Sequence, residues 1–191
     1  GGSVFFNSCL ELGKSDWLTH FTHIEIESLP TGGWGYDHFP LLQRYFRNFH
    51  MQTMGMTARF HRSWGDFGGI KNPAALEYEC FSMLAAGARC SVGDQLHPRG
   101  ELDAAVYDLI GDVYASVKAK EPWCRGAEHT AQVGLFYQNH LDKSIDGAMR
   151  VMLESKETFD VIDAAADFND YEVVILPDAV QFNKELTEKE Q

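Results

Sequence analysis

Glu25 and Glu27 alternate in the run Thr22-His23-Ile24-Glu25-Ile26-Glu27-Ser28, so on a strand they project to one side, about 6.5 to 7 Å apart. A carboxylate enclosed among apolar strands is costly unless it is paired or used. Used, the two are catalytic or hydroxyl-binding acids, with Glu27 nearer the strand's end. Paired, they are ion-pair partners of Arg59 or Arg89 on neighbouring strands.

A second group lies in His61-Arg62-Ser63-Trp64-Gly65-Asp66-Phe67-Gly68-Gly69. Trp64 and Phe67 offer flat apolar faces that stack on sugar rings, and Asp66 adds a carboxylate. Gly65, Gly68 and Gly69 let the backbone turn sharply beside a ligand. The alternative is an ordinary loop in which Asp66 caps the turn and Trp64 plugs the rim. Asp94, Gln95 and His97 form a third group suited to hydroxyls, although Asp94 is equally a turn residue. Trp34, Tyr36, Asp37 and His38 form a fourth, polar-aromatic group, expected to border the substrate. His20, His23, His38, His61 and His97 invite a metal reading, but no H-x-H, H-x-x-x-H or Cys/His set converges. A metal-dependent hydrolase is thus the lesser alternative, and no metal or organic cofactor is expected.

Short apolar segments precede these groups and amphipathic ones follow. Val4–Asn7, Thr22–Ser28, Met56–His61 and Ala88–Gly93 read as strands. Pro40 starts a helix with Leu42, Tyr45, Phe46 and Phe49 on one stripe, and Asn72-Pro73 starts another that Gly87 stops. Leu102 to Val117 marks a long third helix, ended by Pro122. A strand followed by three repeats of strand, polar burst and helix implies parallel strands with chemistry at their carboxyl ends. Half of a (β/α)8 TIM barrel fits this order over residues 1–122, and so does a doubly wound sheet.

Glu121 to Thr130 reads as a linker, bounded as 123–130. Residues 131–191 then change register, with strands at Gln132–Tyr137, Phe159–Ile162 and Tyr171–Pro177 and a helical stripe at Ile145, Ala148, Met149, Met152 and Leu153. This is the opening of a flavodoxin-like domain. No cysteine follows Leu176-Pro177-Asp178 to serve as a nucleophile, so an interaction role is expected there.

The chain has 191 residues, 45% of them apolar and 13% aromatic, enough for a sizeable core. Its formal charge of −12 is concentrated in residues 154–191, where eleven acids face three lysines. With no cluster of Lys and Arg, nucleic acid is excluded as a partner. No apolar run approaches the roughly 20 residues that span a bilayer. Cys9, Cys80, Cys90 and Cys124 are widely spaced and read as free thiols of a reducing compartment, so a cytoplasmic location is expected. The chain begins Gly1-Gly2-Ser3 at the edge of a strand and stops at Thr187-Glu188-Lys189-Glu190-Gln191, where a helix is expected to begin. Both ends read as cuts in a longer protein.

The strings His23-Ile24-Glu25 through Gly33-Trp34-Gly35-Tyr36, Arg59-Phe60-His61 with Ser63 to Gly69, and Gly93-Asp94-Gln95-Leu96-His97-Pro98-Arg99-Gly100 resemble the barrel of glycoside hydrolase family 151. Its members are α-L-fucosidase-like enzymes that look related to the family 42 β-galactosidases. Gln132 to Asp178 is similar to the start of the β-galactosidase-trimerisation-type domain that follows such barrels, which has a class I amidotransferase-like fold. By this resemblance the strands are about the fifth to eighth of the barrel. The general acid/base, on the fourth, would lie outside the chain, and the seventh-strand nucleophile position offers Asp66.

The resemblance implies an exo-acting glycosidase that cleaves a terminal sugar with two carboxyl groups. Asp66 is the first candidate for nucleophile or base and Glu27 the second, with Glu25 and Asp94 in support. Trp34, Tyr36, His61, Trp64, Asp94 and His97 would shape the sugar site. The expected partners are a carbohydrate substrate and further copies of the chain, a trimer by resemblance. The opposing expectation is a non-catalytic carbohydrate-binding or oligomerisation module. The chain alone is expected to be inactive and, with exposed strand edges, prone to aggregate.

Overall fold

A computed structural model describes residues 2–7, 10–138, 144–183 and 186. Three strands, β1 (Ile24–Glu27), β2 (Thr53–Ala58) and β3 (Arg89–Gly93), pair in parallel in that order. Each is followed by a helix: α1 (His38–Phe46), α2 (Pro73–Ala85) and α3 (Ala104–Cys124). Beyond them β4 (Val133–Phe136), α4 (Ser144–Glu154), β5 (Phe159–Ile162) and β6 (Val173–Ile175) build a second parallel sheet in the order β5-β4-β6. The chain is therefore mixed α/β, with all strand pairing parallel among the described residues.

Register assigns the two faces of the first sheet. Glu25 pairs with Met54 and Glu27 with Met56, while Ile26 pairs with Gly55. A Cβ on Gly55 would lie 2.6 Å from Met83 and 2.7 Å from Phe39, so α1 and α2 press directly on β2 at this glycine. Ile24 and Ile26, fully buried, share that face. The opposite face carries Glu25, Glu27, Met54 and Met56, and all three polar bursts follow the carboxyl ends of their strands.

Helix α2 starts as its sequence dictates: Asn72 accepts from the Ala74 N–H at 2.9 Å and Pro73 occupies the first turn. It ends at Gly87, whose φ of +82° is left-handed. Leu76 and Cys80 of α2 meet Val113 and Val117 of α3 in a small core.

The larger core runs from β1 through α1 to the second sheet, joining Ile24, Phe39, Leu42 and Phe46 to Leu135, Met149, Phe159 and Val161. Polar bonds reinforce the joint. Arg47 Nη2 donates to Phe159 O at 2.6 Å and Asn48 Nδ2 to Val161 O at 2.9 Å, so the outward carbonyls of edge strand β5 are occupied. Arg47 also pairs with Asp160 at 2.7 Å, and Tyr45 donates to Asp163 at 2.6 Å.

Several expectations change, and α1 starts at His38 rather than Pro40. Val4–Asn7 forms no strand: Val4 bonds only to Thr22, through its carbonyl at 2.9 Å and its N–H to the Thr22 hydroxyl. The segment lies beside the start of β1 without a ladder. β2 begins three residues earlier than the apolar run suggested and stops at Ala58, because β1 and β3 supply partners only that far. Pro122 does not end α3; placed in the last turn it removes a single bond, and Arg125 N–H still reaches Glu121 O at 2.9 Å. The expected linker is accordingly helical to Cys124. Tyr171–Pro177 contracts to Val173–Ile175. Cys9 and the expected helix at Thr187–Gln191 lie outside the described residues.

Candidate active site

Glu25 and Glu27 enter one cleft of about 280 Å³, together with Leu10, Trp34, His38 and Leu42. They are 5% and 8% exposed. Burial raises both carboxyls above the ordinary glutamate value. For Glu25 the neighbouring charge of Glu27 adds to the effect, and for Glu27 a hydrogen bond from Asn7 opposes it. Glu27 Oε2 is buried without a hydrogen-bond partner, a condition that a ligand hydroxyl or a proton would relieve. Arg59 is committed elsewhere and Arg89 is exposed, so among the described residues neither acid has an ion-pair partner.

His38, the first residue of α1, closes the cleft. Its Nδ1 lies 3.1 Å from Ser28 Oγ, and burial lowers its pKa, favouring the neutral ring. Trp34 meets it edge-on, with centroids 4.9 Å apart. The cleft thus has paired carboxyl groups with a raised affinity for protons, an indole wall and a neutral imidazole. Such a set can donate or accept a proton and bind hydroxyls.

The ends of β2 and β3 carry a second cluster. Trp64, 41% exposed, lies over Gly93; a Cβ there would be 2.9 Å from the indole and 3.0 Å from Met56 Sδ. Met56 is the register partner of Glu27, so the indole stands on the acid-bearing face, over β3 and two strands from the acids. Phe60 packs edge-on against Trp64 and Phe67, and Phe67 against His97 at 4.8 Å. Asp66 is partly buried, with its N–H on Ser63 O at 3.1 Å. Its carboxylate faces Gly69, as does the Cβ of exposed His61. His97 Nδ1 accepts from Arg99 N–H at 3.1 Å.

Asp94 is held by others. It accepts from Arg59 Nε at 2.9 Å, from the Gln95 N–H at 2.7 Å and from Tyr107 at 3.0 Å. Burial alone would raise its carboxyl, but these bonds outweigh burial and keep its pKa below the usual range. Tyr36 turns to the helix-facing side, where its hydroxyl donates to Glu79 at 3.2 Å and its ring meets Tyr78. The structure therefore gathers Glu25, Glu27 and Trp34 in one cleft, and His61, Trp64, Asp66 and His97 along the neighbouring rim. Asp94 sits in an ion pair and Tyr36 outside the cleft.

Lys71 and Glu79, a buried pair beneath this rim, were not singled out from the sequence. Glu79 carries the signal that could have found them, a charge on the same α2 face as Leu76, Cys80 and Met83. Among the described residues no group of three or more His, Cys, Asp or Glu is placed to hold a metal ion, Cys80, Cys90 and Cys124 are free thiols, and no helix is long and apolar enough to cross a membrane.

No family model matches the chain, and no curated protein does. A solved structure does. The likeness is to an α-L-fucosidase. Isoenzyme 2 from Paenibacillus thiaminolyticus superposes with a TM-score of 0.91 at 46% identity, over 98% of this chain. The chain spans 30% of the length of that fucosidase. Its parallel sheets, strand-end loops and joint between the sheets thus correspond in fold and sequence to a segment of that protein.

Proposed function

We propose that the chain is the site-bearing segment of an exo-acting glycoside hydrolase of α-L-fucosidase type. The single observation that carries this reading is the cleft in which Glu27, with an unpartnered carboxyl oxygen, faces Trp34 and His38, in a chain 46% identical to a fucosidase. Glu27, with its raised pKa, is suited to hold a proton for a glycosidic oxygen or to grip a ring hydroxyl, with Glu25 behind it. Asp66, on the facing loop, is the proposed nucleophile or base, and Trp64 the platform for the sugar's apolar face. His61 and His97 line the rim.

The first sheet reads as the sixth to eighth strands of a (β/α)8 barrel, residues 1–122, with Val4–Asn7 at the place of the fifth, since a parallel β/α order with strand-end chemistry supports that architecture. The second sheet, with its 2-1-3 strand order, supports a flavodoxin-like fold for residues 131–191. In this proposal it is a trimerisation-type domain of the family 151 kind, the intact protein is a homo-oligomer, and free thiols favour a cytoplasmic setting.

The test is to assay the intact protein on a panel of nitrophenyl glycosides, with Asp66→Asn, Glu27→Gln and Glu25→Gln alongside. An aryl α-L-fucoside should be cleaved, and the first two variants should lose at least about 100-fold in kcat. Cleavage of no glycoside would remove the enzyme reading and leave carbohydrate binding. Wild-type kcat in all three variants would remove the site assignment.

A further inference from the structure

Lys71 is 2% exposed and sits between the Trp64/Asp66 loop and the first turn of α2. Its ammonium donates to Thr57 Oγ1 at 2.8 Å and to Ala58 O at 3.0 Å, and pairs with Glu79 Oε2. The other oxygen of Glu79, which is 4% exposed, accepts from Tyr36 on the β1–α1 loop. One buried carboxylate in the middle of α2 thus joins the end of β2 to both loops that frame the site, through Thr57, Lys71 and Tyr36. An apolar pair would hold α2 on β2 about as well as a buried ion pair, because desolvating two charges offsets much of their attraction. An apolar pair could not offer a directed acceptor to Tyr36.

We propose that Tyr36 and Glu79 are positioning residues, a strut that fixes the loop bearing Trp34, which leads into His38 at the start of α1, against the loop bearing Trp64 and Asp66. The two walls of the saccharide site are then set as one unit. This role rests on the glycosidase reading for its catalytic consequence. Its structural content stands without it.

Tyr36→Phe in the intact protein removes one hydroxyl from a side chain 41% exposed and keeps the ring against Tyr78, so the fold persists. On whichever aryl glycoside the parent cleaves, KM should rise roughly 5- to 20-fold while kcat stays within about twofold, because substrate is held less well by a loosened wall. Combining it with Glu79→Gln should raise KM no further than the larger single effect. Hydrogen exchange gives a readout free of activity: residues 31–38 should exchange faster in Tyr36→Phe. An unchanged KM in an active protein, or unchanged exchange at 31–38, overturns the strut. If the parent cleaves no glycoside, the glycosidase reading fails, and exchange alone decides the strut.

Discussion

Trp64 rests on Gly93. The indole occupies the volume that any side chain at position 93 would need, at 2.9 Å from an ideal Cβ. An alanine there must lift the ring or bend β3, where Gly93 pairs with Ala58. Gly93→Ala should therefore cost about 1 to 3 kcal/mol by overpacking. Glycoside KM should also rise more than kcat falls, and the intrinsic tryptophan emission should shift. Unaltered emission and KM would show that the indole stands elsewhere.

A second expectation concerns pH. The carboxyls of Glu25 and Glu27 lie above their ordinary value of 4.5, so the folded protein holds these protons more tightly than the unfolded chain. Their contribution to stability is fully present below about 4.5 and is lost as pH rises through the raised folded values. Glu27→Gln should accordingly be more stable than the parent at pH 8, with the difference shrinking towards pH 4.5. Urea denaturation across that range measures it, and a constant difference would contradict it. The same substitution should lower kcat by at least about 100-fold, the trade expected where an acid is kept buried for use.

Arg47 supports a third. Its guanidinium is 11% exposed and joins Phe159 O and Asp160 to the end of α1. Arg47→Ala leaves a carboxylate and a carbonyl without it in the joint and should cost about 2 to 4 kcal/mol. Because His38 and Leu42 of the helix that Arg47 caps line the acid cleft, activity should fall with it. Guanidinium denaturation followed at β5 and at β2 reports whether the two sheets still unfold together. Parent-like stability would show the joint to be dispensable.

Local signals carried much of this architecture. Asn72-Pro73 and Gly87 bracket α2 because caps act within a few residues, and Phe159–Ile162 matches β5 because a fully buried parallel strand is a compact apolar run. The placement of the bursts was equally legible, since a βα order puts them at one end. The fate of individual polar side chains was not. Arg59 seemed able to reach Glu25 or Glu27, yet it pairs with Asp94, on the adjacent strand's end. Tyr36 belongs to the same burst as Trp34 but points to the other side of the sheet, because the loop between them turns through Gly35 at a φ of +78°. Both outcomes depend on loop geometry and on partners distant in sequence, which residue type and spacing do not encode.

The bonds from Arg47 and Asn48 to the carbonyls of β5 give the second sheet a direction of growth. That margin is sealed by the turn that follows α1, so an additional strand, from this polypeptide or another, would join beside β6.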